Sequence, residues 1–500
     1  MEIEFSLFYP GHYQWSKTPM LYFIGYTFDK NGQLIQKADE LEGTQIPSVI
    51  RELKGAFCII TFEKEIVRIY SDTIASFPIF YKIEGHKMHI RSEPQGKQTG
   101  WDLQAEYDFA HIFCTQFQDT LIQGWKSIPA GYYLELNLKT GDNQLIRWFE
   151  HFSLNKIRAT AQTEVDLMRI TQNWAEQIRA FADGRPIWIP LSGGYDSRLL
   201  ACILHQEKVP NLHAYTYGKS ASAEVLNAHK TAKQLRLDWY FVPYTEQAFH
   251  YFFTEDWVRY ALKNHHFQSL PHEQDFFALQ GLKIQGHLQE DFVVVPGFCG
   301  DIPTGSYLKN KEIIASEYLS NLYGVKPQNL VQDIESWDSV QQWLCENRLS
   351  KFIVNSVRVY EYFGGKWMLP MWHQDFLKLF YSLDKQDKWD QQFYLSTIFK
   401  RYFEPLEVDF QKPRGERVQS KTTWKDIVKE KLPNNLVKKI QDFTGKTSAA
   451  DPCNLHTLSQ MLFQHIQNQG ITPPVSDKYF NPLHAFYMLE MLKDSLKEKS

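Results

Sequence analysis

Residues 187–204 read Ile-Trp-Ile-Pro-Leu-Ser-Gly-Gly-Tyr-Asp-Ser-Arg-Leu-Leu-Ala-Cys-Ile-Leu, an apolar strand run into an apolar helix through a turn of glycines and short hydroxyl side chains. Such a turn suits the phosphates of a nucleotide. Gly193 and Gly194 let the backbone approach an anion closely. The hydroxyls of Ser192 and Ser197, with the free amides of the helix start, aim donors at it. Asp196, a carboxylate among those donors, suits a magnesium ion. The plainer alternative is a serine-glycine turn that merely joins a strand to a helix.

The spacing Ser-Gly-Gly-x-Asp-Ser at 192–197 resembles the PP-loop signature of enzymes that cleave ATP between its α and β phosphates and leave an adenylated intermediate. The elements around it are legible from periodicity. Up to about residue 150 the pattern is short and alternating, with strands expected over 20–26, 56–63, 66–72, 79–82 and 132–138. Residues 152–163 are polar and read as a linker. A helix follows, with Leu167, Ile170, Trp174, Ile178 and Phe181 on one stripe. Apolar strands at 187–191, 211–217, 239–243 and 292–296 then alternate with helical stretches at 197–206 and 222–236, which calls for a parallel sheet flanked by helices. Ligands of such sheets bind beyond the carboxyl ends of the strands, where the turns at Ser192 and Gly218 would lie. From about 311 onward the pattern is helical and rich in aromatics.

The bulk properties bound the reading. A chain of 500 residues exceeds what one core usually organises, so two domains with a helical extension are expected. With 43% hydrophobic, 15% aromatic and 22% charged residues it has the balance of a folded globular protein. A net charge of -4 argues against nucleic acid as an obligate partner. The start Met-Glu-Ile-Glu-Phe is acidic where a signal peptide would be basic, and no apolar run reaches membrane-spanning length, so a cytoplasmic protein without membrane insertion is expected. Cys58, Cys114, Cys202, Cys299, Cys345 and Cys453 show no Cys-x-x-Cys spacing and suggest neither a zinc site nor a disulfide framework.

Taken whole, the chain resembles the asparagine synthetase family, and most closely its members from bacterial surface-polysaccharide clusters. The N-terminal part resembles a glutaminase domain in Leu53-Lys-Gly-Ala-Phe-Cys-Ile-Ile-Thr-Phe62, Ser71-Asp-Thr-Ile-Ala-Ser-Phe-Pro-Ile-Phe-Tyr81, Ile128-Pro-Ala-Gly-Tyr132 and Arg147-Trp148. Further on, Ala214-Tyr-Thr-Tyr-Gly218 resembles the strand end whose backbone holds adenine, and Pro296-Gly-Phe-Cys-Gly-Asp-Ile-Pro-Thr-Gly305 resembles the pyrophosphate loop. The resemblance implies a mixed fold of class α/β and α+β. An antiparallel, β-rich, Ntn-hydrolase-like domain at 1–150 would precede a parallel-sheet PP-loop domain at 163–400 and a helical extension at 401–500. It implies ATP contacts from Leu191, Ser192, Gly193, Gly194, Asp196, Ser197, Tyr217, Gly218 and Gly300, and magnesium held by Asp196 and Asp301. A helix cap and a turn aspartate are the plainer readings of those two carboxylates.

Several positions depart from the family pattern. A glutamine-dependent member uses a cysteine exposed as its first residue. Here Met1 is followed by Glu2, and glutaminase activity is expected to be lost. The family's glutamate falls on Lys366, its later aspartate on His373, and its intermediate-stabilising lysine on Gln392 or Tyr394 of the segment 390–395. Lys366 is the candidate catalytic cation beside an acyl-adenylate, against a plain surface lysine. Cys299 is read as packing rather than as a nucleophile, and His265, His266, His272 and Glu273 as loop and rim residues rather than metal ligands. The segment 268–275 would shape an acyl-acceptor pocket, and the lysines of 421–440 read as a solvated face.

The reading is an ATP- and magnesium-dependent ligase that adenylates a carboxylate and lets an amine displace AMP. Its partners would be small-molecule carboxylate and amine substrates, with a homodimer or a separate ammonia source both open. β-Lactam synthetases and lasso-peptide cyclases, which resemble this family without glutaminase function, illustrate an amine carried by the substrate. The alternatives are an inactive ATP-binding scaffold or regulator, asparagine formation from aspartate, and PP-loop RNA modification, which the acidic charge opposes.

Overall fold

A computed structural model of the chain describes residues 1–9, 12–95, 100–298, 300–308, 313–324, 334–410 and 451–497. Three sheets organise them. Phe23, Ile24, Tyr26 and Phe28 of strand Leu21–Phe28 are buried, and this strand pairs antiparallel with Lys54–Glu63 at the middle of a seven-stranded sheet. The residues that alternate with the packed face along Tyr132–Asn137, the strand next to the sheet's edge, are only half-buried, which is why that strand shows the cleanest period of two. A four-stranded sheet completes the N-terminal half. It departs from the purely antiparallel expectation, because Glu2–Ser6 pairs parallel with Lys87–Arg91. Strands so far apart in sequence have ample chain for a parallel return.

The C-terminal half is built on a five-stranded sheet that is parallel throughout. Its spatial order is Asp238–Pro243, Leu212–Gly218, Ile187–Pro190, Phe292–Val294, Gly365–Trp367. In chain order that is 3-2-1-4-5, so the winding reverses between Ile187–Pro190 and Phe292–Val294. Loops leaving these two strands diverge and open a crevice at their carboxyl ends. Both central strands are covered on each face, hence their uninterrupted apolar sequence. The helix Ala161–Ala182 buries the whole expected stripe and starts at Thr160, whose hydroxyl accepts from Thr163 N–H. The polar stretch before it is pinned to the second half, with Ile157 N–H on Ser382 O at 2.7 Å.

The fifth strand escaped the sequence reading, being three residues long and interrupted by Lys366. Pairing and an aromatic joint define it. The fully buried Trp367 stacks on Phe77, meets Tyr13 and Tyr26 of the N-terminal half, and donates from Nε1 to Glu361 Oε1 at 2.6 Å. Tyr13 returns a hydrogen bond to Trp367 O at 2.7 Å, and Leu369 N–H donates to the Tyr26 hydroxyl at 2.9 Å. The helices Leu455–Asn468 and Phe480–Lys497 pack on each other, and Lys493 of the second reaches Glu106 of the N-terminal helix Leu103–Ile112 at 2.6 Å. Replacing Trp367 by alanine is expected to cost roughly 3–5 kcal/mol in urea denaturation, as removal of a buried tryptophan does. A loss below about 1 kcal/mol would show that this joint does not hold the halves together.

Candidate functional site

The crevice at the switch point contains a cavity of about 260 Å³ bounded by Leu191, Ser192, Gly194, Asp196, Ser197, Tyr217 and residues of four other segments. The turn that forms its floor is shaped by two close approaches. A side chain on Gly193 would lie 2.6 Å from Glu224 Cα, so only glycine lets the turn rest against the start of helix Ala223–Gln234. A Cβ on Gly297 would lie 2.5 Å from Ser197 N, which lets the loop after Phe292–Val294 close directly onto the start of helix Tyr195–Gln206.

Inside the turn the serines organise the backbone. Ser197 Oγ accepts from Ser192 N–H at 3.1 Å, the two hydroxyls are 3.0 Å apart, and Ser192 Oγ accepts from Gly194 N–H at 3.1 Å. Gly194 is the residue before helix Tyr195–Gln206 and supplies no side-chain cap, so the first-turn amides of this helix face the crevice. Arg198 acts from behind. Fully buried, it donates to Gly193 O at 2.9 Å and Val408 O at 3.0 Å, and a trans peptide whose carbonyl is held this way turns the Gly194 N–H to the opposite side.

Asp196 is the electrostatic centre. Its Oδ1 accepts from the Tyr394 hydroxyl at 2.7 Å, and a Cβ on Gly300 would lie 3.2 Å from its Oδ2. Burial, and then the charge of Asp301, push its carboxyl up to about 7. Asp301 itself is exposed, opens the short helix Asp301–Thr304 and accepts from the Ser306 hydroxyl at 3.1 Å. Across the cavity the fully buried Asp275 accepts from Tyr215 at 2.7 Å and lies 3.5 Å from the Tyr217 hydroxyl, and burial raises it to about 6. Among the described residues that line the cavity there is no lysine or arginine, while Asp196, Glu224 and Asp275 all do. Asp196 beside Asp301 offers carboxylate oxygens of the kind a hard divalent cation takes, although no cluster of three His, Cys, Asp or Glu side chains able to hold a metal ion is found among the described residues.

The structure therefore gathers Leu191, Ser192, Gly193, Gly194, Asp196, Ser197, Tyr217 and Gly300 around one crevice, with Asp301 at its edge and Gly218 beneath a turn of the C-terminal segment, where Lys219 N–H donates to Pro452 O at 2.8 Å. Lys366 is a correction. Val293 is its partner in the sheet, level with Ile187 at the start of the central strand, so it sits at the opposite end from the turn, over the Tyr13 ring at 5.8 Å. His373 is likewise buried in the joint between the halves, with Nδ1 3.0 Å from Gln177 Oε1. Of the segment 268–275, Gln274 and Asp275 reach the cavity. Glu273 is buried elsewhere, against Trp257 and His484, and His272 is near Phe298. His265 accepts from Phe267 N–H at 2.8 Å and His266 is buried. Cys299 and the lysines of 421–440 lie outside the described residues. Arg198 was not singled out by the sequence reading, and Asp275 and Gly297 entered it only as members of the segments 268–275 and 296–305.

Fold and site thus define an open α/β sheet with a crevice at its topological switch point. Residues 174–258, which include the turn and three of the five strands, match the family model described as asparagine synthase, which supports placing this region in the asparagine synthetase family. No curated protein matches by sequence. Among solved structures, glutamine phosphoribosylpyrophosphate amidotransferase from B. subtilis, complexed with ADP and GMP, aligns at 11% identity and a TM-score of 0.16. The alignment spans 59% of each chain, less than two thirds of that protein's length, and so low a score carries no argument.

Two outcomes follow from the geometry. Because Asp196 is held near 7 in the folded chain against 3.8 unfolded, ionising it costs stability; the cost is absent below the lower value and complete above the higher. Asp196→Asn should melt several degrees above the parent near pH 8 and close to it near pH 4, whereas a pH-independent difference would contradict the assignment. Gly297→Ala should destabilise by about 1–3 kcal/mol in urea, since the contacted atoms are backbone.

Proposed function

We propose that the crevice binds ATP with magnesium and that the chain is a ligase that adenylates a carboxylate and transfers the acyl group to an amine. The observation that carries this reading is Asp196, a carboxylate raised by burial and then by Asp301 at the foot of a turn suited to an anion. Such a pair is costly alone and is relieved by a cation that a triphosphate brings with it. Asp196 and Asp301 would hold the magnesium, whose chemistry when bound is neutralisation of charge on the departing pyrophosphate.

The chain's own groups supply the rest. Gly194 N–H, the Ser192 and Ser197 hydroxyls and the first amides of helix Tyr195–Gln206 receive phosphate oxygens in place of one another. Tyr394 fixes the orientation of Asp196, and Arg198 keeps the Gly193 carbonyl out of the crevice. Tyr217, stacked on Tyr244 at 4.9 Å, and Leu191 form the wall for the base. Asp275, held near 6, is placed to take a proton from the attacking amine at neutral pH. In this reading residues 1–150 form an Ntn-hydrolase-like domain without glutaminase activity, 163–400 the PP-loop domain and 401–500 its extension. Cys58, Cys114, Cys202 and Cys345 are buried with thiols raised by burial, so none has the lowered pKa of an activated nucleophile.

A second reading, an ATP-binding relative without ligase activity, is favoured by one observation: the described residues lining the cavity offer no cation for an acyl-adenylate. Incubation with ATP, magnesium, a panel of carboxylic acids and hydroxylamine separates the two. The ligase reading expects AMP, pyrophosphate and a hydroxamate in equal amounts, with Asp196→Asn slower by about a hundredfold or more. ADP and phosphate as products would contradict it. ATP binding without turnover of any acid would establish the second reading.

A further inference from the structure

A second cavity, of about 650 Å³, borders two packed segments that form a wall next to Asp196. The wall is made of residues 301–308 and 385–394. Asp390 N–H donates to Leu308 O at 2.9 Å, Gln391 Nε2 to the Thr304 hydroxyl at 2.7 Å, and a Cβ on Gly305 would lie 3.0 Å from Lys388 Cβ. Asp301 and Tyr394 belong to its crevice side. Tyr307, Lys388 and Trp389 face the second cavity, where Trp337 closes the aromatic lining.

Lys388 is the unusual member. Its side chain is almost entirely buried, at 2% exposure, yet it makes no ion pair among the described residues. Among the described residues its one acceptor is Gln341 Oε1 at 3.0 Å, an oxygen that also accepts from the Tyr307 hydroxyl at 2.8 Å. The other end of that amide donates to His151 O, so it cannot turn. The neighbouring carboxylates are engaged: Asp338 pairs with Lys156 at 2.9 Å, and Asp384 Oδ1 accepts from Gln386 N–H at 2.8 Å. A buried ammonium with a single acceptor among the described residues, set on a cavity wall, is a costly arrangement that an incoming anion would offset. Burial pulls it down to about 8, which leaves it charged at neutral pH.

We propose that this second cavity binds a small carboxylic acid with a flat apolar body, its carboxylate received by Lys388 and its body held by Trp337, Trp389 and Tyr307. Binding stands independently of the nucleotide. The further role of this acid, as a substrate presented across the shared wall to the crevice, rests on the ligase reading.

The two tryptophans report on the cavity directly. Titration of the full chain without ATP, followed by tryptophan fluorescence, should show saturable binding of phenylacetate and about tenfold weaker binding of phenylacetamide, the difference a charged hydrogen bond makes. Lys388→Met should lose about tenfold in phenylacetate affinity and none for the amide. Gln341→Glu, which gives the ammonium an internal partner and does not empty the core, should lose the same preference. Both variants must keep the parent's far-ultraviolet circular dichroism to be read. No binding of phenylacetate, equal affinity in Lys388→Met, or tighter binding of phenethylamine than of phenylacetate would each overturn the proposal. Failure of the hydroxamate assay with intact phenylacetate binding would remove the ligase role and leave the site.

Discussion

One carboxylate governs the crevice. Asp196 is placed at the start of a helix by the strand–turn–helix sequence, partly withdrawn from water, and set beside Asp301 from the loop across the switch point. Burial first, and then the neighbouring negative charge, oppose ionisation of Asp196, so the arrangement is balanced between taking a proton and taking a cation. The surrounding features serve this balance. Tyr394 spends its hydroxyl on Asp196, Gly297 allows the two loops to touch, and the aligned first-turn amides of Tyr195–Gln206 offer an anion the complement of that cation.

Precision at the crevice depends on the way the two halves are joined. The fifth strand of the parallel sheet is short, and its place is fixed by Trp367 locked among Phe77, Tyr13 and Tyr26. The buried Arg358–Glu361 pair at 2.6 Å supports the same joint, since Glu361 accepts from both Arg358 and Trp367. Residues the N-terminal half contributes are thus structural partners of the sheet that carries the crevice. Among the described residues no helix is long and apolar enough to cross a membrane.

Much of this was legible in the sequence because period and composition are local. The stripe from Leu167 to Phe181, the apolar strands and the glycine-bearing turn each carry their meaning within a dozen residues. The turn also fixed where the crevice must open, once parallel strands were inferred. What could not be read was decided by distant packing. Lys366 falls where the family has its glutamate, yet strand register places it at the far end of the sheet. Tyr394 stood where a lysine was expected, and nothing local says that its hydroxyl reaches Asp196, nearly two hundred residues earlier. Arg198 reads as a surface-compatible cation on a helix, and becomes a buried anchor only when Val408 and the rings of Phe403 and Phe410 fold over it.

The most direct measurement is calorimetric titration of the chain with ATP in the presence of magnesium, repeated in two buffers of different ionisation heat just above neutrality. A single site is expected, with protons released to the buffer on binding, because a cation at Asp196 and Asp301 displaces the proton that Asp196 holds near neutrality. Absence of heat in both buffers, or binding that is the same with and without magnesium and releases no protons, would contradict the assignment of the crevice to a metal-bound nucleotide.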